Sequence, residues 1–147
     1  MSITLEHDKL VILILLCIVG YFLVLHNRVE TYSDPLIDRI RLDLLRVDPR
    51  ASLFTYSAAN ESFTEDKKHI FLCLKDEHGK YYPYNMLMYV ALHELAHAIS
   101  GVMDPRHVSR EFRDNFEMLL RRAKDLKLWD PEQPLITTYC GIDKKKN

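Results

Sequence analysis

The segment Leu92-His93-Glu94-Leu95-Ala96-His97 restricts what this chain can fold into more than any other. It closes an apolar run over residues 86–92 and is followed by a stop at Gly101, a pattern that predicts a helix. On a helix His93 and His97 lie one turn apart on the same face, so both imidazoles reach one metal ion. Glu94 follows the first histidine directly, where its carboxylate meets a metal-bound water without entering the coordination shell. Two imidazoles on a rigid element beside a carboxylate base are the parts of a zinc hydrolase. The plain alternative is a buried helix that carries these three residues by chance.

A catalytic zinc needs a third protein ligand and an open fourth position. His107, Glu111 and Glu117 are the candidates downstream. His107 is expected, because Gly101 and the turn through Asp104-Pro105 let the chain swing back under the metal. Glu117 is the rival on a returning helix, and Glu111 the remaining one. A metzincin would place its third histidine six residues after the second, which is not met, so Met103 is not a Met-turn.

A chain of 147 residues, 48% hydrophobic, supports one small domain. Lys and Arg number 20 against 21 Asp and Glu, a balance without the electrostatic footprint of a nucleic-acid binder. Cys17, Cys73 and Cys140 form no CxxC and have no metal-ligand spacing. They fit buried thiols in a reducing compartment better than a disulfide scaffold, a Cys73–Cys140 bridge being the minor alternative.

Residues 10–25 carry no charge and are bounded by Lys9 and Arg28. As one helix they span about 24 Å, slightly under a hydrocarbon core, with Lys9 and Arg28 able to snorkel. The expectation is a single-pass transmembrane anchor over residues 1–28, inserted in a host membrane or a virion internal membrane, ahead of a metallopeptidase-like domain over 29–147. A cleaved signal peptide fits less well, since Val24-Leu25-His26 offers no small-residue cleavage site.

Residues 28–33 read as a polar connector. Asp34-Pro35 opens a helix with Leu36, Ile37, Ile40, Leu44 and Leu45 on one face, ended by Asp48-Pro49. Residues 52–56 and 69–74 read as strands, the second closed by a turn at Asp76-Glu77-His78-Gly79. The last long helix carries Phe112, Phe116, Leu119, Leu120, Ala123 and Leu126 as its apolar stripe and ends near Trp129-Asp130-Pro131. Helices with a few short strands make an α+β domain with a small antiparallel or mixed sheet. His69 and His78, alone near turns, are expected to be fillers, and Lys144-Lys145-Lys146 a solvated tail.

Four stretches together, KKHIFLCLKDEHGKYY, LMYVALHELAH, HVSREF and TTYCGID, resemble the WLM branch of the SprT-like zinc metallopeptidases, and most of all the small versions of large nucleocytoplasmic DNA viruses. The likeness runs over residues 67–143. It implies a minimal zincin-like fold, one zinc ion on His93, His97 and His107, and Glu94 as general base. The family often has Gly before the third histidine, where this chain has Arg106. The resemblance also implies that the strand before the active-site helix, His69, Ile70, Phe71, Leu72, Cys73 and Leu74, is an edge that pairs with an extended polypeptide substrate.

Three functions follow. The first is a membrane-anchored zinc endopeptidase with Glu94 as base and Tyr139 or Tyr82 as oxyanion donor. Its partners would be the lipid bilayer through residues 10–25, a polypeptide substrate and viral structural proteins. The second is a structural virion or membrane protein on a peptidase fold, against which the intact Glu94 counts, because a structural metal site has no use for a base. The third is a protease of nucleic-acid-associated proteins. In the last helix Arg110, Arg113, Arg121, Arg122, Lys124 and Lys127 are interleaved with Glu111, Asp114, Glu117 and Asp125, which reads as a solvated face and not as a nucleic-acid contact.

Overall fold

The computed structural model describes residues 10–21, 31–32, 34–101, 106–140 and 142–143, in two units divided after Glu30. In the first unit the helix α1 covers residues 10–21. The described residues of this helix account for roughly 18 Å at about 1.5 Å per residue, short of the ~30 Å of a hydrocarbon core. No described helix is long and apolar enough to cross a membrane. The transmembrane anchor and the single-pass membrane location expected from residues 10–25 are therefore not supported. An uncharged run sets hydropathy, but the helical length has to reach the span as well. Lys9, Arg28 and the end of the expected anchor lie outside the described residues.

The second unit is α+β with a mixed sheet. Strand β1 (Thr31–Tyr32), expected as a connector, pairs antiparallel with β2 (Thr55–Ala59). Between them α2 (Pro35–Val47) starts as expected: Pro35 stands at its first turn and the Asp34 carboxylate accepts from the Leu36 N–H at 3.0 Å. Asp48 ends α2 and also caps a 3-10 helix, Pro49–Leu53. That turn takes Ser52 and Leu53 out of the expected strand, because Pro49 and the Asp48 side chain favour a tight helical turn over an extended chain. Strand β3 (Phe63–Glu65) turns through Asp66 and Lys67, both at positive φ, into β4 (His69–Leu72).

The sheet order is β1-β2-β4-β3, with β2 and β4 parallel and the other pairs antiparallel. Strand β4 is thus interior, paired with β2 on one side and β3 on the other. The expectation that residues 69–74 form a substrate-binding edge is corrected: backbone groups already bonded on both sides cannot accept another strand, and the outer strand is β3. Beyond β4, Asp76 Oδ1 accepts from the N–H groups of His78 and Lys80, closing the expected turn, with Gly79 at φ +77°.

Helix α3 (Tyr84–Ile99) lies across the middle of the core. Met86, Leu87, Met88, Leu92 and Leu95 are fully buried against Ile40 and Leu44 of α2, Ile70 and Leu72 of β4, and Leu119 of the next helix. Burial on nearly every side explains why this helix reads as a continuous apolar run and not as an amphipathic stripe. Helix α4 (Arg110–Asp125), capped by Ser109 through the Phe112 N–H, buries Phe112, Leu119 and Ala123. A short hairpin of β5 (Thr138–Tyr139) and β6 (Ile142–Asp143) follows.

Cys73 and Cys140 are joined in a disulfide, Cα atoms 6.4 Å apart across 67 positions. This overturns the expectation of separate thiols, which rested on spacing alone. Tyr139 reinforces the tie: its hydroxyl donates to the Cys73 carbonyl and lies 2.8 Å from Ser62 Oγ, which accepts from the Cys73 N–H.

Candidate metal centre

His93 and His97 project from one face of α3, and His107 comes to them from the turn before α4. His93 Nε2 is 3.2 Å from His97 Nε2 and 3.2 Å from His107 Nε2. Among the described residues these three form the group able to hold a metal ion. Three nitrogens at about 2.0–2.1 Å from a tetrahedral ion are separated by roughly 3.3–3.4 Å. The observed spacing therefore fits a single ion bound by three imidazoles, a donor set that suits zinc among several transition metals.

The rings are oriented by an aromatic floor. Phe112, 3% exposed, stacks on His97 with centroids 4.4 Å apart, and lies 5.2 Å from His93 and 5.1 Å from His107. Phe116, one turn along α4, meets His93 edge-on at 5.1 Å. In the sequence both phenylalanines belong to an ordinary apolar stripe, and nothing in that pattern distinguishes a ring that packs on leucine from one that packs on imidazole.

His107 adopts a left-handed backbone, φ +55°. Such a conformation costs a non-glycine residue about 1–2 kcal/mol and persists where surrounding contacts impose it. One such contact is Glu111. Its Oε1 accepts from the Gly101 N–H at 2.5 Å, joining the exit of α3 to the first turn of α4 across the segment that carries His107. A Cβ at Gly101 would stand 3.0 Å from Glu111 Oε1, so a larger residue there would push that carboxylate by a few tenths of an ångström. Glu111 is therefore a clamp on the loop. Glu117 is exposed and outside the group, so of the three candidates for third ligand the structure brings His107 to the pair. Met103, Asp104 and Pro105 lie outside the described residues.

Glu94, 8% exposed, is packed between α3 and the sheet. Burial pushes its carboxyl up to about 7, opposed by a hydrogen bond from Thr64. Thr64 Oγ1 on β3 stands 2.9 Å from Glu94 Oε2 and 3.0 Å from the Glu94 carbonyl oxygen. A carboxyl in that range exchanges a proton readily near neutral pH, and a cation on the adjacent imidazoles would draw its pKa down again. Thr64 was not singled out from the sequence, because a three-residue strand has too few positions to show a period.

The two tyrosines named as oxyanion donors are engaged elsewhere. Tyr139, 5% exposed, donates to the Cys73 carbonyl, and the Tyr82 hydroxyl accepts from the Cys140 N–H at 2.9 Å. Their rings pack at 4.8 Å beside the disulfide. Both support the C-terminal hairpin. His69 lies against Thr55, and His78 stands beside Glu77 on the surface.

No protein-family model matches the chain, and no solved structure does. It is similar to three viral proteins. It is 41% identical over 83 residues to "Uncharacterized protein 136R" of Invertebrate iridescent virus 6, covering 54% of this chain and 45% of the relative. It is 38% identical over 87 residues to "Uncharacterized protein 042R" of Invertebrate iridescent virus 3, covering 56% and 50%. It is 36% identical over 90 residues to "Uncharacterized protein R325" of Acanthamoeba polyphaga mimivirus, covering 55% and 42%. The chain thus spans half or less of the length of these curated relatives, whose names state no activity.

Proposed function

We propose that this chain is a zinc-dependent endopeptidase in which His93, His97 and His107 hold the metal and Glu94 is the general base. The observation that supports it most is that His93 Nε2 stands 3.2 Å from the Nε2 atoms of both His97 and His107, the three ligand atoms all lying within 4.8 Å, with a buried carboxyl one residue after His93. When bound, zinc lowers the pKa of its water towards about 7 and polarises a carbonyl. Glu94 takes a proton from the attacking water and delivers it to the departing amine. Phe112 keeps the imidazoles in register, and burial around Glu94 excludes bulk water. The outer strand β3 offers the edge on which an extended polypeptide can be laid, its backbone hydrogen bonds giving sequence-tolerant affinity. The resemblance of the HELAH and HVSREF stretches to WLM and SprT-like peptidases points the same way, while the viral relatives carry names that state no activity.

The test is metal content of the full chain together with cleavage of unfolded, fluorescently labelled casein, with and without a chelator. About one zinc per chain and chelator-sensitive cleavage support the reading. A chain that carries zinc and leaves casein and other unfolded polypeptides intact overturns it in favour of a structural metal protein.

A further inference from the structure

A carboxylate base has two equivalent oxygens and a soft terminal torsion, so its rate as a base depends on what aims it. One turn from Glu94 on α3 stand Val90, Ala91, His97 and Ala98, and the two histidines beside it, His93 and His97, turn their Nε2 atoms to one another. The polar contact comes from a different element, 30 positions earlier: Thr64 Oγ1, 2.9 Å from Oε2. The same oxygen stands 3.0 Å from the Glu94 carbonyl, so the threonine side chain is located against both the backbone and the carboxylate of one residue.

We propose that Thr64 is a positioning residue for Glu94: it engages Oε2 and thereby assigns Oε1 as the oxygen that accepts and returns the proton. This rests on the peptidase reading above. A hydroxyl has a single hydrogen, and two acceptors are within its reach, Oε2 and the Glu94 carbonyl; when it is given to Oε2 the bond is compatible with Oε1 being either bare or protonated. Thr64 therefore needs no rearrangement as the proton moves from water to Oε1 and on to the amine. Its place on β3 adds a consequence, because the strand proposed to receive the substrate also holds the base. Peptide docking and base orientation are set by one rigid element.

The experiment compares Thr64→Val, Thr64→Ser and Thr64→Ala in the full chain, with zinc stoichiometry, kcat and KM on labelled casein as readouts. Loss of a positioned hydrogen bond to a charged base is expected to lower kcat by about ten- to a hundredfold. In the Val variant KM should stay within about twofold and zinc at the parent level, and Ser should restore most of the rate. A merely structural role would change stability or zinc binding without this split. If the Val chain does not fold, the contrast between Ser and Ala, both lacking the methyl group, carries the same test. Val or Ala variants that turn over at the parental kcat, or that lose activity through KM alone, overturn the assignment while leaving the peptidase reading intact. A parent chain without hydrolysis overturns the reading itself.

Discussion

Asp48 and Arg122 are 74 positions apart in the chain, yet Arg122 Nη1 lies 3.0 Å from Asp48 Oδ2. Asp48, 2% exposed, also accepts from the Arg50 N–H and from both Nε and Nη2 of that arginine. Asp48 thus closes α2 through its backbone N–H, which donates to the Leu44 carbonyl, while its carboxylate opens the 3-10 helix and fastens α4, the helix that carries Phe112 to the candidate metal centre.

Asp48→Ala should lower unfolding stability by about 1–2 kcal/mol in urea titration, a figure discounted because both arginines are about half exposed. The pH dependence has a definite sign. Hydrogen bonding to Arg50 holds the Asp48 carboxyl below its ordinary 3.8. Its contribution is therefore complete above that value and is lost as pH falls through the lower folded-state pKa. The stability difference between parent and Asp48→Asn should narrow in acid below about pH 4, and a difference that widens there would refute the assignment.

Glu94→Gln preserves shape and removes the base. Casein cleavage should fall by about 10² to 10⁴, while zinc content and thermal midpoint stay close to the parent. An unchanged rate in this variant would exclude Glu94 from the chemistry.

His107→Ala removes one of three ligands, so zinc stoichiometry by elemental analysis should drop well below one per chain. Glu117→Ala should leave it untouched. The reverse pattern would move the third ligand to α4.

Gly101→Ala places a Cβ against the Glu111 carboxylate. The clamp on the His107 turn should loosen, and zinc affinity should weaken by less than the about 10- to 100-fold seen when a direct partner of a metal ligand is lost, because Glu111 bonds the Gly101 N–H and not an imidazole. A competition assay with a chromophoric chelator measures it, and parental affinity would show that the turn holds without the clamp.

Cys140→Ser opens the covalent loop across 67 positions. A loss of about 2–4 kcal/mol in guanidinium unfolding is expected, and the parent treated with reductant should show a similar loss. Equal stability of parent and variant under oxidising conditions would mean that the bridge contributes nothing to the fold.

The proximity of His93 and His97 was legible in the sequence because it is local: four residues of helix bring one over the other whatever surrounds them. Capping at Asp34, the stop at Gly101 and the turn at Asp76-Glu77-His78-Gly79 were legible for the same reason, since each is a bond between near neighbours. His107 needed a longer argument from ligand count, and the structure brings it to the pair. Over residues 10–25 hydropathy alone pointed to an anchor, while no described helix is both long and apolar enough to cross a membrane.

Elements whose partners lie within a turn or two, α2, α3, α4 and the histidine pair, are written in the local sequence. The tertiary structure alone decided that β4 lies inside the sheet and β3 outside it. It alone also paired Cys73 with Cys140, set Thr64 against Glu94 across 30 positions, and turned Phe112 from a core residue into the floor of the metal centre. Each of these depends on which surfaces meet once the apolar faces are buried. That choice is made by the packing of the whole domain, so no local spacing carries a record of it.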